Sequence, residues 1–233
     1  MVKTGVEYAD ENITVYPSCP FACKYCWASM PLFQYRIRNP KPIQEAYRLS
    51  RARKKRVIVV SFTSDPYQPK ELVEQKTRRV LEILSSTIHR IMILTKNPML
   101  AIDRDHDILV RGDIWLGTTL TSTRFIPDEP HAPVPRERME GLKLAHKLGV
   151  KTWVSIEPWL RGVTNPLEII DETYWYVDYY VLGRHNYETR FGYPKVPDSY
   201  YAERLPKVID RLKQLNKKFF IKKELRRVLK SSY

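Results

Sequence analysis

Short apolar runs and longer amphipathic stretches alternate along this chain. Runs rich in β-branched and aromatic residues occur at 13–16 (ITVY), 57–62 (VIVVSF), 91–95 (IMILT), 114–120 (IWLGTTL), 152–156 (TWVSI), 178–183 (DYYVLG) and 218–221 (KFFI), and each predicts a strand. Between them, helices are expected at 42–53, 74–87, 98–109, 136–148, 167–175, 201–216 and 222–230. The clearest is 136–148, where Met139, Leu142, Ala145 and Leu148 recur at helical spacing and Gly149 follows as a C′ residue. The strand runs are apolar throughout instead of alternating, which is the pattern of strands covered on both faces.

Strands covered on both faces and separated by helices predict a parallel α/β sheet. Six or seven β/α units in 233 residues fit an incomplete (β/α)6-type TIM-like barrel, because the closed eight-stranded form takes about 250. One domain over residues 1–233, ending in a basic helix, is the expectation. In such folds functional residues collect where strands end, and polar turns stand at those positions here: TSDPYQPKE after 57–62, KNP after 91–95, TST after 114–120, EPWLRG after 152–156 and RHNYE after 178–183.

Charge narrows the partners. Forty Lys and Arg against 26 acids give a formal charge of +14. Residues 36–56 hold Arg36, Arg38, Lys41, Arg48, Arg51, Arg53, Lys54, Lys55 and Arg56 against Glu45 alone, and 217–230 holds seven basic residues against one Glu. Such patches release counterions from a polyanion and suit a nucleic acid, and both segments are expected to flank the barrel mouth. A Lys/Arg-rich surface equally fits a heat-adapted (thermophile) protein. The segment 184–194 interleaves Arg184, Arg190, Tyr187, Phe191 and Tyr193, suited to stacking bases or to packing beneath a barrel-closing loop. Every apolar run is too short to cross a bilayer and the first residues are polar, so a soluble, cytoplasmic protein without a membrane partner is expected.

All three cysteines, Cys19, Cys23 and Cys26, fall within eight positions. An odd count in one loop argues against a disulfide framework and for thiolate ligands. The C-x₃-C-x₂-C spacing can wrap three irons of a [4Fe–4S] cluster, which ordinarily takes four thiolates, leaving one iron for an external chelating ligand. Zinc is the alternative, but it wants four protein ligands and the nearest histidine in sequence is His89.

With an aromatic residue, Tyr25, just before the last cysteine, the loop resembles the signature of the radical S-adenosylmethionine (radical SAM) enzymes. SFTSDPYQPKE, LTKNP, SIEPWL and FFIKKE resemble a subgroup related to spore photoproduct lyases and phage-associated radical SAM proteins. The resemblance implies a [4Fe–4S] cluster and S-adenosyl-L-methionine as cofactors. It also implies an external electron donor of ferredoxin or flavodoxin type and a 5′-deoxyadenosyl radical that abstracts hydrogen from substrate. It assigns Thr63, Ser64 and Asp65 to the methionine amino group, Lys96 to its carboxylate, Thr119 and Thr121 to the ribose, Ser155 and Glu157 to the adenosine and Tyr25 to the adenine. Each has an ordinary alternative as a turn residue, surface lysine, strand-end cap or packing residue. No thiol remains for an auxiliary cluster or for the further cysteine that serves spore photoproduct lyase as hydrogen donor. A protein hydrogen donor would then be a tyrosine, with Tyr67 and Tyr187 the candidates. The expected function is radical chemistry on a nucleic acid, with a peptide or small-metabolite substrate as one alternative and a non-enzymatic, metal-containing nucleic-acid-binding module as another.

Overall fold

The computed structural model describes residues 6–229; Lys230, the last residue of the expected 222–230 helix, lies outside the described residues, as does the side chain of Arg36. Seven strands, β1 (Glu11–Ile13), β2 (Val57–Val60), β3 (Arg90–Leu94), β4 (Asp113–Thr119), β5 (Lys151–Trp159), β6 (Tyr179–Arg184) and β7 (Lys218–Ile221), form one parallel sheet in sequential order. This is the expected incomplete TIM-like barrel, a curled α/β half-barrel with seven strands where the (β/α)6 form has six.

Helices α1 (Pro31–Ile37), α2 (Pro42–Ser50), α3 (Glu71–Glu74), α4 (Lys76–Leu84), α5 (Pro98–Leu109), α6 (Pro135–Lys147), α7 (Pro166–Thr173), α8 (Asp198–Gln214) and α9 (Lys223–Arg227) connect the strands. Five of them begin on proline, whose missing N–H would be unpaired in the first turn anyway and whose ring presets the helical φ. The helix expected at 74–87 is α4 alone, because Gln75 adopts φ 51° and separates it from the short α3. The expected 136–148 helix ends as read, with Gly149 at φ +82°. Its buried stripe, however, runs through Arg138, Leu142 and Ala145, and Leu148 is exposed.

The sheet is apolar throughout because each strand feeds two packed layers. Ile58, Val60, Ile91, Ile93, Leu116, Val154 and Leu182 pack with Ala46, Leu81, Leu142 and Leu205 of the helices. Val59, Met92, Trp115, Trp153 and Val181 form a second cluster on the concave face. Trp153 fits there because Gly117, on the neighbouring strand, has no side chain: a Cβ would stand 2.3 Å from the indole. Residues 6–9 join this inner layer, with Tyr8 edge-on to Trp153 at 5.6 Å and to Phe220 of β7 at 6.1 Å.

The first strand is displaced from the expected 13–16 to Glu11–Ile13. Residues 14–16 leave the sheet because Ser61, in left-handed conformation (φ 59°), turns its own N–H onto Ile13 O at 2.8 Å and accepts Val15 N–H on its hydroxyl at 3.1 Å. Among the described residues no helix is long and apolar enough to cross a membrane.

Candidate active site

The cysteine loop leaves β1 at the end of the sheet where the strands finish. Ala22 takes φ 49°, and Cys26 N–H closes a turn onto Cys23 O at 3.0 Å. Phe21, Cys23 and Tyr25 pack on Ile126 and Leu160, while Lys24 N–H donates to Asp128 O at 2.9 Å. The loop is therefore clamped by the segment that follows β4. Cys19, Cys23 and Cys26 are all free thiols and all line one cavity of about 140 Å³, opposite Thr63, Ser64, Asp65, Thr95, Lys96 and Thr119.

A second cavity, of about 120 Å³, shares Tyr25, Cys26, Phe62, Leu94, Lys96 and Thr119 with the first. It adds Trp27, Ser155, Glu157, Arg184, His185 and Asn186. The two spaces thus form one continuous site over the carboxyl ends of β2 to β6.

The donor set fits an iron–sulfur cluster better than a single ion. The thiols border a shared volume, and among the described residues no three His, Cys, Asp or Glu side chains converge as ligands of one metal ion would. His89 is committed elsewhere, with Nε2 2.9 Å from Leu49 O. Burial, with Asp65 nearby, pushes the Cys19 thiol up to about 12, and burial also raises Cys23. Cationic iron is what such desolvated sulfurs need to be held as thiolates.

Asp65 is buried and saturated: it accepts Thr95 Oγ1–H at 2.6 Å, Lys96 N–H at 2.7 Å and Tyr67 N–H at 2.9 Å. It thereby fixes the β2 turn to the β3 turn. Burial still raises its pKa, those hydrogen bonds pulling the other way. Thr63 and Ser64 meet the Thr14 and Ser61 hydroxyls at 2.9 and 3.1 Å, an exchangeable set of donors on the cavity wall. Lys96 lies over the Tyr25 ring with Nζ 5.6 Å from its centroid and 3.9 Å from Glu129 Oε1. Burial lowers its pKa, but the neighbouring Cys23 and Glu129 outweigh this, so the net shift is upward and the ammonium persists.

The remaining expected residues divide. Tyr25, Thr119, Ser155 and Glu157 line the cavities. Glu157 is seated over Gly183, whose Cβ would stand 2.6 Å from its Cδ, and bonds Lys222 Nζ at 2.6 Å. Thr121 is fully buried and donates to Glu129 at 3.2 Å, away from either cavity. Tyr67 is not brought to the site: its ring lies in the helix-side core and its hydroxyl donates to Asp105 at 2.8 Å. Tyr187 stands exposed at the rim, 6.4 Å from the Phe33 ring.

Four residues of the site escaped the sequence reading. Glu129 and Arg138 form a buried pair that also takes the hydroxyls of Tyr25 and Thr121. Their one signal was the cation at Arg138, four residues before Leu142 on the apolar stripe. Lys222 and His185 are the others, and both are almost wholly buried.

The basic segments do not both flank this mouth. Lys55, Arg56, Lys217 and Lys218 stand where β2 and β7 begin, at the opposite end of the sheet, and there Lys55, Arg90 and Lys151 share the Asp113 carboxylate. Only the 222–229 part of the second segment follows a strand at the site end.

Fold and site together define a class: parallel half-barrels with a three-thiol cavity over their strand ends. Residues 13–170, more than half the chain, match the Radical SAM superfamily model, and the chain belongs to that superfamily and is an enzyme of it. A curated relative, an uncharacterized protein of Methanocaldococcus jannaschii, is 26 % identical over 188 residues, 76 % of this chain and 71 % of that protein. Among solved structures, a mutant of spore photoproduct lyase superposes with a TM-score of 0.71 at 16 % identity, covering 92 % of this chain and 76 % of that one. The same lyase complexed with dinucleoside spore photoproduct gives 0.68 at 15 %, with the same coverage. Streptococcus suis SuiB bound to precursor peptide SuiA gives 0.66 at 15 %, covering 91 % of this chain and 48 % of SuiB, so the chain spans about half of that protein's length. At these identities the likeness is one of fold.

Proposed function

We propose that Cys19, Cys23 and Cys26 hold a [4Fe–4S] cluster whose fourth iron takes S-adenosyl-L-methionine, and that the enzyme abstracts hydrogen from a nucleic acid. The observation that carries this reading is the convergence of all three thiols on one cavity that also contains Lys96 and the Thr63–Asp65 turn. A cluster held there would supply, when bound and reduced, the electron for reductive cleavage of the cofactor's sulfonium C–S bond.

The chain's own residues do the positioning. Lys96, kept cationic by its surroundings, faces the cofactor carboxylate; Thr63 and Ser64 offer hydroxyls to its amino group, and Asp65 locks their turn in place. Thr119 and Ser155 border the ribose, Tyr25 and Glu157 the adenosine. Apolar walls from Phe21, Phe62, Leu94 and Trp27 keep water from the radical. An external donor of ferredoxin or flavodoxin type supplies the electron. Thr121 and Tyr67 act through the scaffold, and of the two tyrosine candidates for hydrogen return only Tyr187 stands at the opening.

The net charge and the solved complex of spore photoproduct lyase with a dinucleoside lesion support a nucleic-acid substrate. The SuiB complex supports the peptide alternative. Anaerobic turnover with deuterated oligonucleotides and deuterated peptides separates them: label in 5′-deoxyadenosine from the oligonucleotide is expected, and label from peptide alone overturns the substrate assignment.

A further inference from the structure

The end of β6 carries two polar side chains that the protein leaves unmatched. His185 is only 2 % exposed, yet its Nε2 has no hydrogen-bond partner, a condition that costs free energy unless something else supplies the partner. Asn186, half-buried, makes no hydrogen bond to any described residue. Both line the second cavity and the wider opening beside it.

Two charged neighbours, Arg184 and Glu157, are already paired. Arg184 holds Asp198 at 2.7 Å and Val196 O at 3.1 Å, and Glu157 is paired with Lys222. Burial lowers the His185 pKa, with Glu188 and Asp128 opposing, so the imidazole is neutral near pH 7 and offers one N–H and one lone pair. The Asn186 carboxamide offers donors and an acceptor. Beside them stand flat and apolar faces, Trp27, braced edge-on by Phe33 at 4.7 Å, with Phe62 and Leu94, while Lys96, Thr119 and Ser155 of the same wall are the residues assigned to the cofactor above. A neutral donor–acceptor pair beside aromatic faces matches the edge of a nucleobase, whose ring carbonyl and ring nitrogens need such partners once it is unstacked.

We infer that His185 and Asn186 read the hydrogen-bonding edge of a single extruded nucleobase seated against Trp27 and Phe62, holding it where hydrogen is abstracted. The inference rests on the nucleic-acid reading above.

The test uses reconstituted enzyme carrying His185→Phe or Asn186→Ala, the second at a half-buried position. Three quantities are read: cofactor Kd, 5′-deoxyadenosine formed without substrate, and deuterium transferred from labelled oligonucleotide. Cofactor affinity and substrate-free 5′-deoxyadenosine are expected to stay within about twofold of wild type, while label transfer falls roughly 10- to 100-fold, as for loss of a hydrogen bond that selects a substrate. A roughly tenfold weaker cofactor Kd with unchanged transfer per 5′-deoxyadenosine would show that the pair reads the cofactor, and overturns the inference. So does Asn186→Ala enzyme, folded as wild type, with unchanged transfer. Wild-type enzyme that takes label from peptide and from no oligonucleotide removes the nucleic-acid reading itself, and the inference with it.

Discussion

Arg138 on α6 and Glu129, in the segment after β4, form an ion pair in which neither side chain is more than 2 % exposed. Arg138 spends its other N–H groups on Pro133 O at 2.7 Å and Thr119 O at 3.0 Å, and Glu129 accepts from Tyr25 and Thr121. The cysteine loop, the end of β4 and α6 thus meet on one fully satisfied charge pair. Glu129 is held below the usual carboxylate range: burial alone would raise it, and Lys96 and Arg138 outweigh burial.

Arg138→Met removes the hydrogen-bonded partner and leaves the buried Glu129 carboxylate to the more distant Lys96, 3.9 Å away. A loss of about 3–5 kcal/mol is expected, read as a shift in the urea midpoint. Adding Glu129→Gln should restore part of it, because the double variant no longer buries that carboxylate. A single-variant loss below about 1 kcal/mol contradicts the pair's role.

Gly117→Ala drives a methyl group into the Trp153 ring, held by its Nε1–H on Ile93 O at 3.1 Å. Overpacking of this kind costs about 1–3 kcal/mol or more, and the Tm should fall accordingly. Trp153→Leu introduced alongside should make Gly117→Ala nearly neutral; equal effects in both backgrounds would show that the indole is not what Gly117 accommodates.

Asp113 accepts Trp115 Nε1–H at 2.7 Å and faces Lys55, Arg90 and Lys151. Burial opposes its ionisation, but the indole hydrogen bond and these cations prevail, so its pKa lies below the ordinary 3.8. A depressed carboxylate stabilises the fold above the unfolded pKa, and that contribution disappears as pH falls through the folded one. Asp113→Asn should therefore lower stability at pH 7 by about 1 kcal/mol or less, given solvent screening. The difference from wild type should hold down to about pH 4 and close below it. A difference that instead grows on acidification contradicts this sign.

Lys96→Met removes the one cation that, among the described residues, lines the thiol cavity. Charge-assisted hydrogen bonds of this kind contribute about 1.5–3 kcal/mol, so cofactor affinity should fall roughly 10- to 150-fold. Iron content after reconstitution should match wild type. Loss of iron with retained cofactor affinity would move Lys96 from the cofactor to the cysteine loop.

Much of this was legible in the chain. The strands announced themselves as unbroken apolar runs because both faces are covered. Three thiols in one turn of chain needed no tertiary information. What was hidden depends on direction. Tyr67 follows a strand and reads as a rim residue, but the turn fixed by Asp65 sends it into the helix-side core. Glu129 sits in a proline-bounded segment with no periodicity, and its role comes from contacts that only the fold makes, at Arg138 on α6 and at Tyr25, more than 100 residues away in sequence. Lys222 read as part of a solvated basic run, and its pairing with Glu157 requires β7 to lie next to β6.

The most direct test of the central claim is 5′-deoxyadenosine formation by anaerobically reconstituted, reduced enzyme, compared with Cys23→Ala. Wild type should carry about four irons per chain and produce 5′-deoxyadenosine from S-adenosyl-L-methionine, and the variant should produce none. A variant that still produces it, or a wild type that binds a single zinc and no iron, contradicts the account.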